Sequence, residues 1–174
     1  MAKISTPRDL LVEELKDLYS AENQLLKALP RMAKAATSEE LRDAFETHLG
    51  QTEGQVKRLE KIAKQLDETM KGKTCKAMKG LVEESKEIME EDAEPALLDL
   101  ALIGAAQKVE HYEIAGYGTA RTLAELAGEP DVAKILQETL DEEGETDKLL
   151  TTIATKMNVE SSESDDEEEE DDKQ

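Results

Sequence analysis

The 174-residue chain contains no tryptophan, one phenylalanine, one cysteine, four prolines and nine glycines. With so few aromatic rings, any core has to be assembled from Leu, Ile, Val, Met and Ala. Nine Gly and four Pro are too few turn residues for an all-β sandwich, which breaks its chain every ten residues or so. Helices are what remains. A lone Cys75 cannot form an internal disulfide, and without a Cys-x-x-Cys pair the chain has no rubredoxin-type iron site of its own. No apolar stretch approaches the roughly 18–20 residues that span a bilayer, and Met1-Ala2-Lys3-Ile4-Ser5 lacks the apolar run of a secretion signal. The expectation is a cytoplasmic protein with no membrane partner. Basic residues are also in deficit: 22 Lys and Arg face 42 Asp and Glu, a net charge of −20, which argues against nucleic acid as a partner and for cations.

The acidic excess is uneven. Residues 160–174 hold ten Asp/Glu and one Lys, a charge of −9, which leaves −11 on residues 1–159. From Ser161 to Asp172 nothing apolar is available for burial, so nothing offsets the entropy of ordering the segment. A folded domain over 1–159 and a disordered acidic tail over 160–174 are expected. Such a tail aids solubility and at most acts as a weak reservoir for divalent cations.

Capping signals divide the domain. Thr6-Pro7-Arg8-Asp9 supplies an N-cap hydroxyl, a proline at the first helical position and an acid at the third, opening a helix to about Ala36 with Pro30 placed to bend it. Thr37 and Glu40 stand at capping-box spacing and open a second helix to about Glu68. After a break at Thr69–Thr74, residues 76–91 read as a short amphipathic helix with Met78, Leu81, Val82, Ile88 and Met89 on its apolar side. Glu94-Pro95 starts a third long helix to about Ala127, and Gly128-Glu129-Pro130 ends it and launches a fourth, to about Met157. Two αα-hairpins joined by a long connection containing a short helix is the connectivity of ferritin-like four-helix bundles.

Stepping alternately three and four residues traces the stripe each long helix turns inward. The first reads Leu11, Leu15, Leu18, Glu22, Leu25, Leu29, Met32, with one acid among apolar residues. The second, Leu41, Phe45, His48, Thr52, Gln55, Leu59, Ile62, Leu66, turns polar in its middle. The third carries Glu110 and Glu113 between Ala106 and Tyr117, and the fourth carries Glu143 and Asp147 between Leu140 and Leu150. All these interruptions fall near the helix midpoints, so one slab across the bundle is acidic. Burying unpaired carboxylates costs several kcal/mol each. The stripes contain no Lys or Arg, which leaves protonation, basic side chains reaching in from elsewhere, or bound divalent metal. Pairs at i, i+3 (Glu110, Glu113) and i, i+4 (Glu143, Asp147) each present two oxygens on one face, which favours metal. His48 stands about five residues from its helix midpoint, roughly 7–8 Å at the helical rise, which favours a supporting position over ligation. His111 lies beside the third stripe near Gly104, Ala115 and Gly118, a small-residue face that invites another helix, from this chain or a second subunit.

Asp17-Leu18-Tyr19-Ser20-Ala21-Glu22-Asn23-Gln24-Leu25, Val109-Glu110-His111-Tyr112-Glu113-Ile114-Ala115, Leu140-Asp141-Glu142-Glu143 with Thr146-Asp147, and the connecting segment Cys75 to Glu84 resemble the YciE/YciF family of ferritin-like stress proteins over residues 6 to about 155. The resemblance implies a ferritin-like bundle, a homodimer, and a dinuclear iron centre with ferroxidase or peroxide-related activity. Carried over residue by residue, it implies Glu22, Glu110, Glu113, Glu143 and Asp147 as ligands. The departure is on the second helix, where Gly50 and Gln51 stand in place of the family's usual acids. A neutral amide supplies no charge, so a weakened, mononuclear or manganese-tuned site is implied, with Gln55 or Glu53 as substitutes for the missing ligand.

The resulting expectation is a centre of two iron or manganese ions that binds O₂ or H₂O₂ and oxidises Fe(II) pairwise or consumes peroxide. Tyr19, Tyr112 and Tyr117 are close in sequence to the ligands and are placed to donate a hydrogen bond or an electron. The competing expectations are a metal-free helical stress scaffold with protonated or Lys-paired carboxylates, and an acidic mimic of nucleic acid that binds basic proteins through its tail.

Overall fold

The structure is a computed structural model that describes residues 4–157; the acidic segment 160–174 lies outside the described residues. The chain forms α1 (Pro7–Ala35), α2 (Glu39–Gln65), α3 (Lys76–Glu90), α4 (Pro95–Leu126) and α5 (Pro130–Lys156), with no strand among the described residues. None of these helices is long and apolar enough to cross a membrane.

Helix starts and stops follow the capping chemistry closely. Thr6 Oγ1 accepts from Asp9 N at 3.1 Å while Asp9 Oδ2 accepts from Thr6 N at 2.9 Å, a reciprocal pair that satisfies two orphan donors of α1. Pro30 does not end α1, which continues through it to Ala35. Gly128 closes α4 at φ +77°, a left-handed conformation that glycine adopts without a Cβ penalty. At the start of α2 the cap is Ser38, whose hydroxyl accepts from Leu41 N, and not the expected Thr37. The reason is a long-range acid. Asp99 of α4, 2% exposed, takes Thr37 N at 2.8 Å, Thr37 Oγ1 at 2.8 Å and Ser38 N at 2.7 Å, which ties the α1–α2 turn to α4.

Each long helix packs on two others in the ring order α1, α2, α5, α4, and α3 lies across α1 and α4. Arg8 fastens one end, donating to Leu66 O at 2.7 Å and to Glu129 Oε1 at 2.8 Å. On α4 a Cβ at Gly116 would come 2.8 Å from Leu18 Cδ2, so a larger residue there would oblige the Leu18 side chain of α1 to shift. The small-residue face takes no helix among the described residues. A Cβ at Gly104 or Gly118 would meet nothing within 4 Å, and His111 is exposed beside it.

The core is divided. One cluster gathers Ala21, Leu25, Leu29, Met32, Phe45, Met78, Leu102, Ile103 and Leu150. The other gathers Leu11, Leu15, Leu18, Leu59, Ile62, Tyr117, Ala120, Val132 and Leu136. The stretches of helix between them carry the buried polar side chains Glu22, His48, Thr52, Gln55, Glu110, Glu113, Thr139, Glu143 and Thr146. The polar slab read from the stripes is therefore real, and it separates two apolar clusters.

Candidate metal centre

Each helix reaches the slab because its apolar residues on either side bury the same face. Glu22 lies between Leu18 and Leu25 of α1, and Glu110 and Glu113 between Ala106 and Tyr117 of α4; Glu22 and Glu113 are fully buried and Glu110 is 2% exposed. Glu143 of α5 is fully buried as well. One atom each from His48, Glu110, Glu113 and Glu143 lie within 4.8 Å of one another, so this buried His/Glu cluster could hold a metal ion.

His48 Nε2 stands 3.3 Å from Glu110 Oε1 and 3.8 Å from Glu143 Oε2, but out of line for a hydrogen bond. Its other nitrogen is held. Nδ1 lies 3.1 Å from Gln51 Oε1 and 3.3 Å from Thr146 Oγ1. An Nδ1–H that donates to an amide oxygen leaves the Nε2 lone pair facing the carboxylates, the arrangement that metal-binding histidines use. Tyr117 Oη donates to Glu22 Oε1 and orients that carboxyl from the α4 side.

The carboxyl oxygens are short of partners for buried groups, and that shortage is the test of fit. Glu22 Oε2, Glu110 Oε2 and both oxygens of Glu113 and Glu143 have no hydrogen-bond partner. Among the described residues, the only basic side chain within ion-pair distance of these four acids is His48. Burial, reinforced by the charges of Glu110 and Glu142, pushes Glu22 up to about 8 against the opposing Tyr117 hydrogen bond and His48. Burial also raises Glu113 and Glu143 well above the carboxyl range, reinforced by their acidic neighbours. For His48 burial acts downward, but Glu110, Gln51 and Glu22 outweigh it and hold the imidazole above its ordinary value. Hard oxygen donors with one imidazole suit iron, manganese or zinc, and divalent charge answers the repulsion. The residues present fit such a metal.

The remaining site residues read from sequence divide. Asp147 stands apart from the cluster: Gln107 Nε2 donates to its Oδ1 at 3.0 Å and His111 Nε2 lies 3.3 Å away, at a partly exposed α4–α5 seam. On α5 the inward stripe runs Leu136, Thr139, Glu143, Thr146, Leu150, so three-residue steps replace the four-residue steps that would have chosen Leu140 and Asp147. Glu53 is exposed. Gln55 is fully buried, with Nε2 donating to Glu142 Oε2 at 3.2 Å and Oε1 unpartnered. Gln51 Oε1 faces His48 Nδ1 and Thr146 Oγ1 and orients the ring. Tyr19 turns outward to Glu60 Oε1 at 3.3 Å, and Tyr112 donates to Asp17. His48, expected as a supporting group, lies inside the cluster, its ring reaching to 3.3 Å from Glu110 Oε1 from about one turn off the middle of α2. The Thr146 contribution was hidden because this threonine, at three-residue spacing, competes with Asp147 at four.

Comparison with known proteins follows the same outline. Residues 6–162 match the family described as a domain of unknown function, DUF892. Protein YciF of Escherichia coli K12 is 46% identical over 152 residues, covering 87% of this chain and 92% of that protein. The crystal structure of the E. coli stress protein YciF superposes with a TM-score of 0.85 over 87% of this chain and 96% of its own. The YcfI protein of Rhodopseudomonas palustris, 41% identical, gives 0.83 over 86% of this chain and 96% of its own. A Xanthomonas campestris protein at 23% identity shares the fold, with a TM-score of 0.70 over 86% of this chain and 92% of its own.

Proposed function

Because the chain belongs to the YciE/YciF family, DUF892, we propose that it is a ferritin-like stress protein with a pair of iron ions, manganese being the alternative, which would be held by His48, Glu110, Glu113 and Glu143 together with the buried Glu22 beside that group. The observation that carries this reading is the set of buried carboxyl oxygens without partners. Four ionised carboxylates carry four negative charges, which two divalent ions balance with His48 neutral. Such a pair supplies redox chemistry toward O₂ or H₂O₂, either oxidising Fe(II) or consuming peroxide.

The protein's own contributions are specific. Gln51 and Thr146 fix the His48 ring so that Nε2 is free to ligate. Tyr117 holds Glu22 from above, where the carboxyl can turn its unpartnered Oε2 toward a cation. The leucines on either side exclude water, which strengthens each electrostatic interaction within the slab. The acids release their protons as metal enters, so binding and pH are linked.

The test is metal content after incubation with Fe(II) or Mn(II), comparing the wild-type chain with a Glu22→Ala, Glu143→Ala double variant. Stoichiometric metal in the first and its loss in the second support the reading. Negligible metal in both would overturn it and favour a metal-free scaffold.

A further inference from the structure

The connection that crosses the bundle carries a second polar chain, in contact with the cluster's helix but separate from its ligands. Cys75 Sγ lies 2.9 Å from Tyr112 Oη, and Tyr112 Oη donates to Asp17 Oδ2. The thiol hydrogen therefore points to the phenol oxygen and the phenol hydrogen to the carboxylate. Burial pushes Asp17 up, but the hydrogen bond from Tyr112 and the charge of Lys73, 3.5 Å away, outweigh it and hold the carboxyl below the ordinary 3.8. The sulfur is pinned. Met78 N donates to Sγ at 3.4 Å, Cys75 N donates to Ser20 Oγ at 2.9 Å, and Gln24 Nε2 donates to Cys75 O at 3.1 Å. Among the described residues neither other tyrosine hydroxyl is hydrogen-bonded to a sulfur: Tyr19 meets Glu60 and Tyr117 meets Glu22. Tyr112 directly precedes Glu113 in α4 and follows Glu110 by two residues.

We propose that Asp17, Tyr112 and Cys75 form a proton-coupled electron relay, in which an oxidising equivalent entering at Tyr112 passes to the Cys75 sulfur. In the first step a one-electron oxidant takes an electron from Tyr112 while its hydroxyl proton moves to Asp17 Oδ2, leaving a neutral tyrosyl radical. In the second, the Cys75 S–H bond breaks and its hydrogen atom forms the Tyr112 O–H bond, leaving a thiyl radical. In the third, a low-molecular-weight thiolate gives one electron to the thiyl, which takes back the proton from Asp17. The net change is one electron from the thiolate to the oxidant, with both side chains restored. Cys75 is buried, at 1% exposure, so a bulky surface oxidant reaches it through Tyr112 and not directly. Delivery of electrons to the metal cluster by this route rests on the function proposed above; the Tyr112-to-Cys75 step does not.

The deciding experiment uses the metal-free full-length chain. A photo-excited ruthenium tris-bipyridine complex with persulfate serves as the oxidant, a nitrone spin trap captures radicals, and peptide mass spectrometry locates the adduct. The wild type is expected to carry the adduct on Cys75. Tyr112→Phe, which keeps the ring, should lose it, and Cys75→Ala should move the radical to Tyr112 as a long-lived tyrosyl signal in electron paramagnetic resonance. Asp17→Asn should slow radical formation and carries the test should Tyr112→Phe fail to fold. An unchanged Cys75 adduct in Tyr112→Phe or Asp17→Asn, or a radical that settles on Tyr19 or Tyr117 in Cys75→Ala, would overturn the relay. Repeating the trapping with Fe(II)-loaded protein and H₂O₂ separates the two ideas: failure to load iron counts against the metal centre, whereas full loading with no Cys75 adduct disconnects the relay from it.

Discussion

A carboxyl group whose pKa rises on folding makes the metal-free protein less stable as pH increases, and Glu22 sets the scale. Its folded value of about 8 lies above the ordinary 4.5, so the native state binds this proton more tightly than the unfolded chain. The stabilisation is complete below 4.5 and is lost as pH climbs through 8. At 1.36 kcal/mol per unit the full shift corresponds to roughly 5 kcal/mol, of which about 3–4 falls between pH 5 and pH 8. Glu113, Glu143 and His48 are all displaced upward and act with the same sign. With a urea m-value of about 2 kcal/mol/M, the unfolding midpoint should drop by nearly 2 M over that range from Glu22 alone. Urea titrations followed by circular dichroism, in chelator at pH 5, 6, 7 and 8, measure it. Glu22→Gln keeps the shape and removes the proton, so its midpoint should fall less steeply. A wild-type midpoint that is flat or rises with pH, or an equal slope in Glu22→Gln, would refute the argument.

The same groups predict that divalent metal displaces protons: at pH 6 an indicator-dye titration with Mn(II) should register at least one proton released per chain, because Glu22, at about 8, enters the titration neutral and Glu113 and Glu143 are displaced in the same direction. Replacing Gln51 by Leu removes the acceptor of His48 Nδ1–H and should weaken metal binding by about 10–100-fold in equilibrium dialysis, without unfolding the chain. Asp147→Ala should leave metal content unchanged, while His48→Ala should reduce it. Asp99→Ala strips three hydrogen bonds from the α1–α2 turn and should cost about 2–3 kcal/mol, seen as a Tm lower by roughly 5–10 °C.

Much of this was legible in the chain itself. Helix boundaries could be read because their determinants are local: Thr6 with Asp9, Pro95, Gly128 and Pro130 act within a turn of where they stand. The choice between Thr37 and Ser38 was not legible, since it depends on Asp99, distant in sequence. Glu22, Glu110, Glu113 and Glu143 stood out because an acid inside an apolar stripe has few explanations. Asp147 stood out for the same reason and turned away, because a step of three residues carries Thr146 inward instead. His48 was underrated by assuming that helix midpoints share a height. The Cys75, Tyr112 and Asp17 chain joins three separate elements, and nothing short of the fold brings them together.

The two apolar clusters each draw on every long helix. Both extremities of the helical bundle are thus clamped, and the segment of each helix in between is fixed in position while most of its carboxyl oxygens are tied to nothing. Carboxyl groups there can swing about their own torsions as a cation arrives or departs, with no helix obliged to slide. Loading and unloading then become events of side-chain rotation inside a frame that is already set.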